Sequence, residues 1–353
     1  MSGPRKHQMP HAPKARASFR TRRRPQVAAE RGLQAANTAN TANTANTAAS
    51  TTKTAKRTSI ACSICLLAAA TVLSTDLALA QPPERPLRII VIGAHPDDPE
   101  KVGGTMAKFV ELGHAVRLVS LTNGNAGHFE MGGGPLAQRR YAETQCAGRV
   151  IGAEYVVLDN DDGKLMPTLE NREEVIRQIR EFRADVVISP RPNDYHPDHR
   201  NTGLLVRDAA YMVTVPNIVA SVPHLGQNPV FMYMWDRFTE PTPFVPDIVV
   251  AIDDVIEKKI DMYHCHTSQM YEWLPYNQGV LDSVPSDPSQ RREWLAQTRG
   301  FRSSEPGETY RELLSQLYGP EAGSLVKQAE PFEVSEYGAQ PTIEELKRLF
   351  PFF

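Results

Sequence analysis

The sequence has little cysteine, no net positive charge beyond its first 80 residues, and almost no long apolar run. Four cysteines occur in 353 residues. Two of them, Cys62 and Cys65, fall in a segment expected to be removed, so their C-x-x-C spacing reads as neither a redox nor a zinc motif. Cys146 and Cys265 remain. An oxidising compartment permits them to pair, although Cys146 lies on an expected helix where packing is its default role. Residues 1–80 carry 12 Lys and Arg against 2 Asp and Glu, whereas the remainder carries 27 against 39. An acidic body argues against nucleic acid as a partner. No glycine spacing of a phosphate loop or dinucleotide fold occurs, so no nucleotide cofactor is expected. The acidic turn Asp159-Asn160-Asp161-Asp162-Gly163 lacks the full spacing and distal Glu of a calcium loop. Beyond residue 80 no segment is apolar and long enough to cross a membrane.

The first 58 residues are rich in Arg, Pro, Ala and Thr, with Ala-Asn-Thr recurring over 36–48. This composition predicts a disordered, basic, low-complexity tail. The Arg22-Arg23-Arg24 cluster lies too far ahead of the apolar run to act as an ordinary export signal. Lys53, Lys56 and Arg57, an apolar run over 60–73, and Ala78-Leu79-Ala80 together read as a signal peptide over 59–80, cleaved near Ala80. The expected product is exported, periplasmic or secreted, with no stable membrane span. The alternative is an uncleaved anchor over 60–80, which Thr71, Ser74, Thr75 and Asp76 weaken.

From residue 87 onward strands and helices alternate, the pattern of an α/β fold with a mostly parallel sheet. Strands are expected over 87–92, 115–121, 155–158, 185–189, 230–235 and 248–252. Helices are expected over 102–112, 135–151, 170–182 and 201–211, then from Asp253 or Asp254 as cap through Met262, and over 308–317 and 343–350. The first strand runs into His95-Pro96-Asp97-Asp98-Pro99-Glu100, and the fourth into Asn193-Asp194-Tyr195-His196-Pro197-Asp198-His199. In such sheets ligands sit beyond the carboxyl ends of the strands. Imidazoles and carboxylates converging there suit a divalent metal, and a carboxylate left unligated can serve as a base. Glycines over 124–134 allow close backbone approach to a ligand. Tyr271, Trp273 and Tyr276 are open between a sugar platform and core packing.

The two motifs resemble the H-P-D-D-x-E and H-x-D-H signatures of the PIG-L/LmbE-like deacetylases. That family includes the deacetylases of N-acetylglucosaminyl-phosphatidylinositol, mycothiol and bacillithiol synthesis. Gly103-Gly104-Thr105, the pair Arg140 and Glu143, and His266-Thr267-Ser268-Gln269 resemble its supporting segments, so the similarity spans 87–270. The resemblance implies a Rossmann-like (LmbE-like) domain over 81–285 with a packed C-terminal extension over 286–353. It implies a zinc-dependent N-deacetylase acting on an N-acetylated sugar or glycoconjugate. His95, Asp98 and His199 would bind the metal, with Fe2+ as an alternative to Zn2+ for such ligands. Asp97 would be the general base, His196 would stabilise the oxyanion or act as acid, and Asp198 would orient His196. Glu100 would brace the loop, and Asn123, Arg140 and His266 are candidate substrate contacts. Two other readings are an inactive carbohydrate-binding protein on the same fold and a metal-dependent phosphoesterase. The latter usually needs more bridging carboxylates.

Overall fold

A computed structural model describes residues 85–353. The basic tail, the signal-peptide segment, Cys62 and Cys65 lie outside the described residues. Seven strands form one sheet: β1 (Arg88–Gly93), β2 (Ala115–Thr122), β3 (Glu154–Asn160), β4 (Val186–Ser189), β5 (Val230–Met234), β6 (Ile248–Ala251) and β7 (Ala329–Gly338). Their spatial order is β3-β2-β1-β4-β5-β7-β6. The first five are mutually parallel, and β7 runs antiparallel between β5 and β6. The expected α/β fold with a mostly parallel, helix-flanked sheet is what forms.

Four helices alternate with the parallel strands: α1 (Gly103–Glu111), α2 (Gly133–Ile151), α3 (Leu169–Phe182) and α4 (Pro197–Met212). After β6 come α5 (Ile256–Cys265), α6 (Leu274–Asn277), α7 (Pro288–Thr298), α8 (Glu305–Thr309), α9 (Arg311–Tyr318), α10 (Pro320–Leu325) and α11 (Ile343–Leu349). The strand alternation decides which helices cover which face. Ile89 and Val91 of β1 join a core with Met106, Phe109 and Met262, whereas Ile90 and Ile92 join one with Val175, Ile179 and Leu205. Both faces of β1 are therefore dry, which is why its sequence is a continuous apolar run rather than an alternating one.

Several local expectations change. Neither Asp253 nor Asp254 caps α5, whose N-cap is Val255. Asp253 instead accepts the backbone N–H of Lys327, and Asp254 pairs with Lys108. The stretch 286–353 supplies an integral strand, β7, where only short helices were expected. Cys146, whose expected role was packing, forms a disulfide with Cys265, joining the end of α5 to α2. Tyr271 is core, Trp273 reaches the cavity described below, and Tyr276 stacks on Phe129 at 4.2 Å between ring centres. Among the described residues no helix is long and apolar enough to span a membrane.

Candidate functional site

The chain leaves β1 for β2 on one side and β4 lies on the other, so the strand order reverses there. A crevice forms at such a switch point, beyond the carboxyl ends of the strands. The two His/Asp motifs follow β1 and β4 directly. Sheet topology alone therefore brings together two sequence segments a hundred residues apart.

Local structure aims the side chains. After β1 the chain folds back tightly enough that the backbone N–H groups of Ala94 and His95 both donate to Asp98 Oδ2, at 3.0 and 2.8 Å. A side chain at Gly93 would place its Cβ 2.6 Å from the Cβ of Asp98, so only glycine fits. After β4, His196 caps α4 with Nδ1 accepting from Asp198 N–H at 3.2 Å. Pro197 at the first helical position is preset for that start.

Three ligand atoms then close a near-equilateral triangle. His95 Nδ1 lies 3.1 Å from His199 Nε2 and 3.4 Å from Asp98 Oδ2, and His199 Nε2 lies 3.3 Å from the same oxygen. Ligands held ~2.0–2.1 Å from a tetrahedral ion sit about 3.3–3.4 Å from one another. The His95, Asp98 and His199 expected from the sequence thus present the edges of one face of such a site. His196 also comes near, with His95, His196 and His199 each offering a ligand atom within 4.8 Å of the others. We assign the set with Asp98, whose three edges are all 3.1–3.4 Å.

The opposite nitrogens of both histidines meet carboxylates, the arrangement that fixes tautomer and ring orientation in metal-ligating histidines. His199 Nδ1 is 3.0 Å from Asp194 Oδ1. His95 Nε2 is 3.1 Å from Asp162 and 3.3 Å from Asp198. Burial alone would depress the His95 pKa, but Asp162, Asp198 and Asp98 outweigh it and hold the imidazole well above its usual value. Burial would likewise raise Asp98, and the charges of His199 and His95 hold it well below. The cluster is thus a dense field of buried carboxylates that favours a cation at its centre, which fits a divalent metal.

Asp97 lies beside this triangle. Its Oδ1 accepts from Arg140 Nη2 at 2.7 Å, which leaves Oδ2 without a donor among the described residues. The half-buried His196 has its pKa lowered by burial and by the charges of His95 and His199. Because its Nδ1 accepts a backbone N–H, its neutral form carries the proton on Nε2. All of these groups except Asp198 open onto a cavity of about 1070 Å³. Its walls include Ala126 and Gly127 from the glycine loop, and Trp235, Phe238, Trp273, Arg299 and Phe301 from the later chain.

Some predicted residues sit elsewhere. The Asp198 carboxylate does not orient His196. It accepts from the N–H groups of Gly163 and Leu165 at 2.6 and 3.2 Å and faces His95. Only its backbone touches His196. Asn123 braces the loop, bonding Asp159 at 2.9 Å, and does not line the cavity. His266 is fully buried and pairs with Glu100 at 2.7 Å, which also takes a bond from Tyr155. It is a support for the motif loop, not a substrate contact. Arg140 does reach the cavity, yet it is 98 % buried, with its Nη2 on Asp97 and on the Pro96 carbonyl. Asp162 and Asp194 were missed. The signal for Asp162 was the acidic turn at the end of β3, whose aspartates diverge: Asp159 and Asp161 bond Asn123 and Asn125, and only Asp162 turns inward.

The supporting motifs form a layer behind the site. Glu143 of α2 accepts from Thr267 Oγ1 and from both N–H and Oγ of Ser268, at 2.6–2.8 Å. Gln269 reaches the Gly127 carbonyl at 3.0 Å. The N–H groups of Gly104 and Thr105 donate to Glu330 of β7, which also pairs with Lys259 at 2.6 Å. The start of α1 is thereby tied to the C-terminal strand.

Residues 90–210 match the family model described as PIG-L: GlcNAc-PI de-N-acetylase. The curated 4-oxalmesaconate hydratase of Pseudomonas putida is 23% identical over 201 residues, covering 54% of this chain and 78% of that protein. Among solved structures, the N,N'-diacetylchitobiose deacetylase of Pyrococcus horikoshii superposes with a TM-score of 0.52 at 23% identity, covering 73% of this chain and 87% of that one. GalB, the 4-carboxy-2-hydroxymuconate hydratase of Pseudomonas putida KT2440, gives 0.54 at 19% identity, covering 72% and 99%. These likenesses establish the shared fold. Residues 90–210 are thus similar to the PIG-L family, as the paired motifs implied.

Proposed function

We propose that this PIG-L domain is a zinc-dependent hydrolase that removes an acetyl group from an N-acetylated amino sugar or glycoconjugate. The observation that carries the reading is the triangle of His95 Nδ1, Asp98 Oδ2 and His199 Nε2, with the Asp97 carboxylate beside it on the floor of one cavity. His95, Asp98 and His199 would hold the metal, and three protein ligands are the number that a catalytic zinc site uses. When bound, the metal supplies Lewis acidity, polarising the acetyl carbonyl and lowering the pKa of a water toward ~7. Asp97 Oδ2 would take a proton from the attacking water and pass it to the departing amine nitrogen as the C–N bond breaks, while Arg140 holds Oδ1 and so fixes the carboxylate plane. His196 presents Nε2–H to the carbonyl oxygen as charge develops on it. Removing one such donor typically costs on the order of 10²–10³ in rate. Asp98, Asp194, Asp162 and Asp198 hold the two ligand histidines in place.

Export belongs to the same proposal. The segment over 59–80 supports it, and a disulfide such as Cys146–Cys265 persists in an oxidising compartment.

The test is acetate release from a panel of N-acetylglucosamine conjugates by the zinc-loaded protein, with metal counted per chain. We expect turnover with about one metal ion per chain, and turnover unaffected by Asp97→Asn would reject the assignment. A second reading has one observation behind it, the curated relative's name, which is that of a hydratase. The same base and metal would then add water across a conjugated double bond. Loss of ultraviolet absorbance from an unsaturated carboxylate, without acetate release, would favour it.

A further inference from the structure

One wall of the cavity has chemistry that the proposed reaction leaves unused. Most buried or half-buried cations near the site are answered within the chain. Arg140 meets Asp97, Arg139 meets Glu272, Arg191 meets Asp236 and Lys259 meets Glu330, all at 2.5–2.7 Å. Arg299, the C-cap residue of α7, is different. It lines the cavity, and its guanidinium makes no hydrogen bond or ion pair among the described residues. Burial in the wall pulls its pKa below the usual value, while the charge of Asp97 acts the other way. Lys101 is a second cavity-lining cation whose ammonium has no partner among the described residues, and its charge acts on Asp98 and Asp194.

Holding a guanidinium in a partly dry wall with no hydrogen-bonded counter-charge is unfavourable. The cost is recovered when a ligand brings the anion. Guanidinium suits that task because its planar fork bonds a carboxylate or phosphate in two places. Phe301, two residues on, and Trp273 line the same cavity and offer apolar surface for the body of a ligand. A cavity of about 1070 Å³ is far larger than an acetamido group needs, so most of it contacts parts of the substrate that do not react.

We propose that Arg299 anchors an anionic group, carboxylate or phosphate, on the unreacting part of the substrate, with Lys101 as a second cation nearer Asp98. The substrate is then an acidic N-acylated conjugate and not a neutral oligosaccharide. The reaction at its other end rests on the deacetylase reading above, whereas the anion site rests on the wall alone.

Two measurements on the full-length, zinc-loaded chain separate those claims. The first compares kcat/KM for N-acetylglucosamine glycosides of matched size bearing a hydroxyl, a carboxylate or a phosphate on the aglycone. We expect one anionic glycoside to be favoured over the neutral one by about tenfold or more, the worth of a charge-assisted hydrogen bond. That ratio should collapse in R299Q, chiefly through KM, and persist in R299K. The favoured anion identifies the source, carboxylate or phosphate. Equal kcat/KM for all three glycosides, or an R299Q variant that keeps the wild-type ratio, overturns the proposal. The second measurement is calorimetric titration with phenyl phosphate, benzoate and benzyl alcohol. An anion held through Arg299 weakens in R299Q, whereas one held only by the metal binds both proteins alike, which would also overturn it. Anionic probes that depend on Arg299, with no glycoside hydrolysed, would sustain the anion site and reject the deacetylase.

Discussion

The floor and the far wall of the cavity are built on opposite principles. On the floor almost every polar atom is already engaged. His95, Asp98, Asp162, Asp194, Asp198 and His199 hold one another at 2.8–3.4 Å, while among the described residues one Asp97 oxygen and His196 Nε2 have no partner. The far wall instead presents the apolar side chains Trp235, Phe238, Trp273 and Phe301, and Arg299, whose guanidinium has no partner among the described residues. A fully engaged floor cannot adapt, so it fixes which bond is attacked. A wall with unmet demands is completed only by the ligand, so it selects the compound that carries that bond. The floor comes from three strand ends within the family match, and the far wall comes from residues beyond 234.

The sharpest way to break this contrast is to remove a floor ligand. His199→Ala should drop bound zinc below about a tenth of an ion per chain and lower acetate release by on the order of 10³ or more, since loss of the metal removes its Lewis acidity. Elemental analysis beside the rate assay checks both. Asp97→Asn should instead keep the metal and lose about 10²–10⁴ in kcat, the usual worth of a positioned base. If the metal is lost as well, Asp97 is a ligand and the division of labour on the floor is wrong. Asp198→Asn should weaken zinc binding roughly 10–100-fold with a smaller loss at saturating metal, as expected for a carboxylate behind a ligand. A metal-chelator competition titration reads this.

The seam between floor and wall gives the next effect. Cys146 of α2 and Cys265 of α5 are 119 residues apart, and their bond closes a long loop beside the Glu143–Ser268 contact. Cys146→Ser with Cys265→Ser should cost ~2–4 kcal/mol of stability, read by urea denaturation, with a smaller effect on kcat. The mildest effect belongs to the wall. Trp273→Ala should raise KM about tenfold at nearly constant kcat, because it removes binding shared by substrate and transition state. A loss in kcat equal to that of a floor variant would erase the distinction.

The same contrast explains what was legible in the sequence. His95, Asp97, Asp98, His196 and His199 could be read because each cluster is one turn of chain after an apolar strand. Strand-end placement converts short spacing into proximity. Asp162 and Asp194 were harder. Each is one carboxylate in an acidic or polar turn, and only the fold shows which of them faces a histidine. Arg299 carried no signal at all, because its role depends on a helix, α7, that was not expected. Strand β7 was hidden by its own residues. Glu330, Pro331 and Glu333 break the apolar pattern, and Pro331 cannot donate to a ladder. Yet Glu330 is only 3 % exposed, held by Gly104, Thr105 and Lys259. The disulfide was equally invisible, since its halves meet only once α2 and α5 pack.

Strand β7 also imposes an order of events. β6 pairs only with β7 within the sheet, and β7 is made about 80 residues later than β6. Until residues 329–338 have emerged, β6 has no ladder and the start of α1 has no Glu330 to hold. The parallel half can assemble as it is synthesised, but the sheet closes from the chain's far end. A protein halted before β7 would therefore hold both metal motifs and still lack the strand that locks one of them to the rest of the molecule.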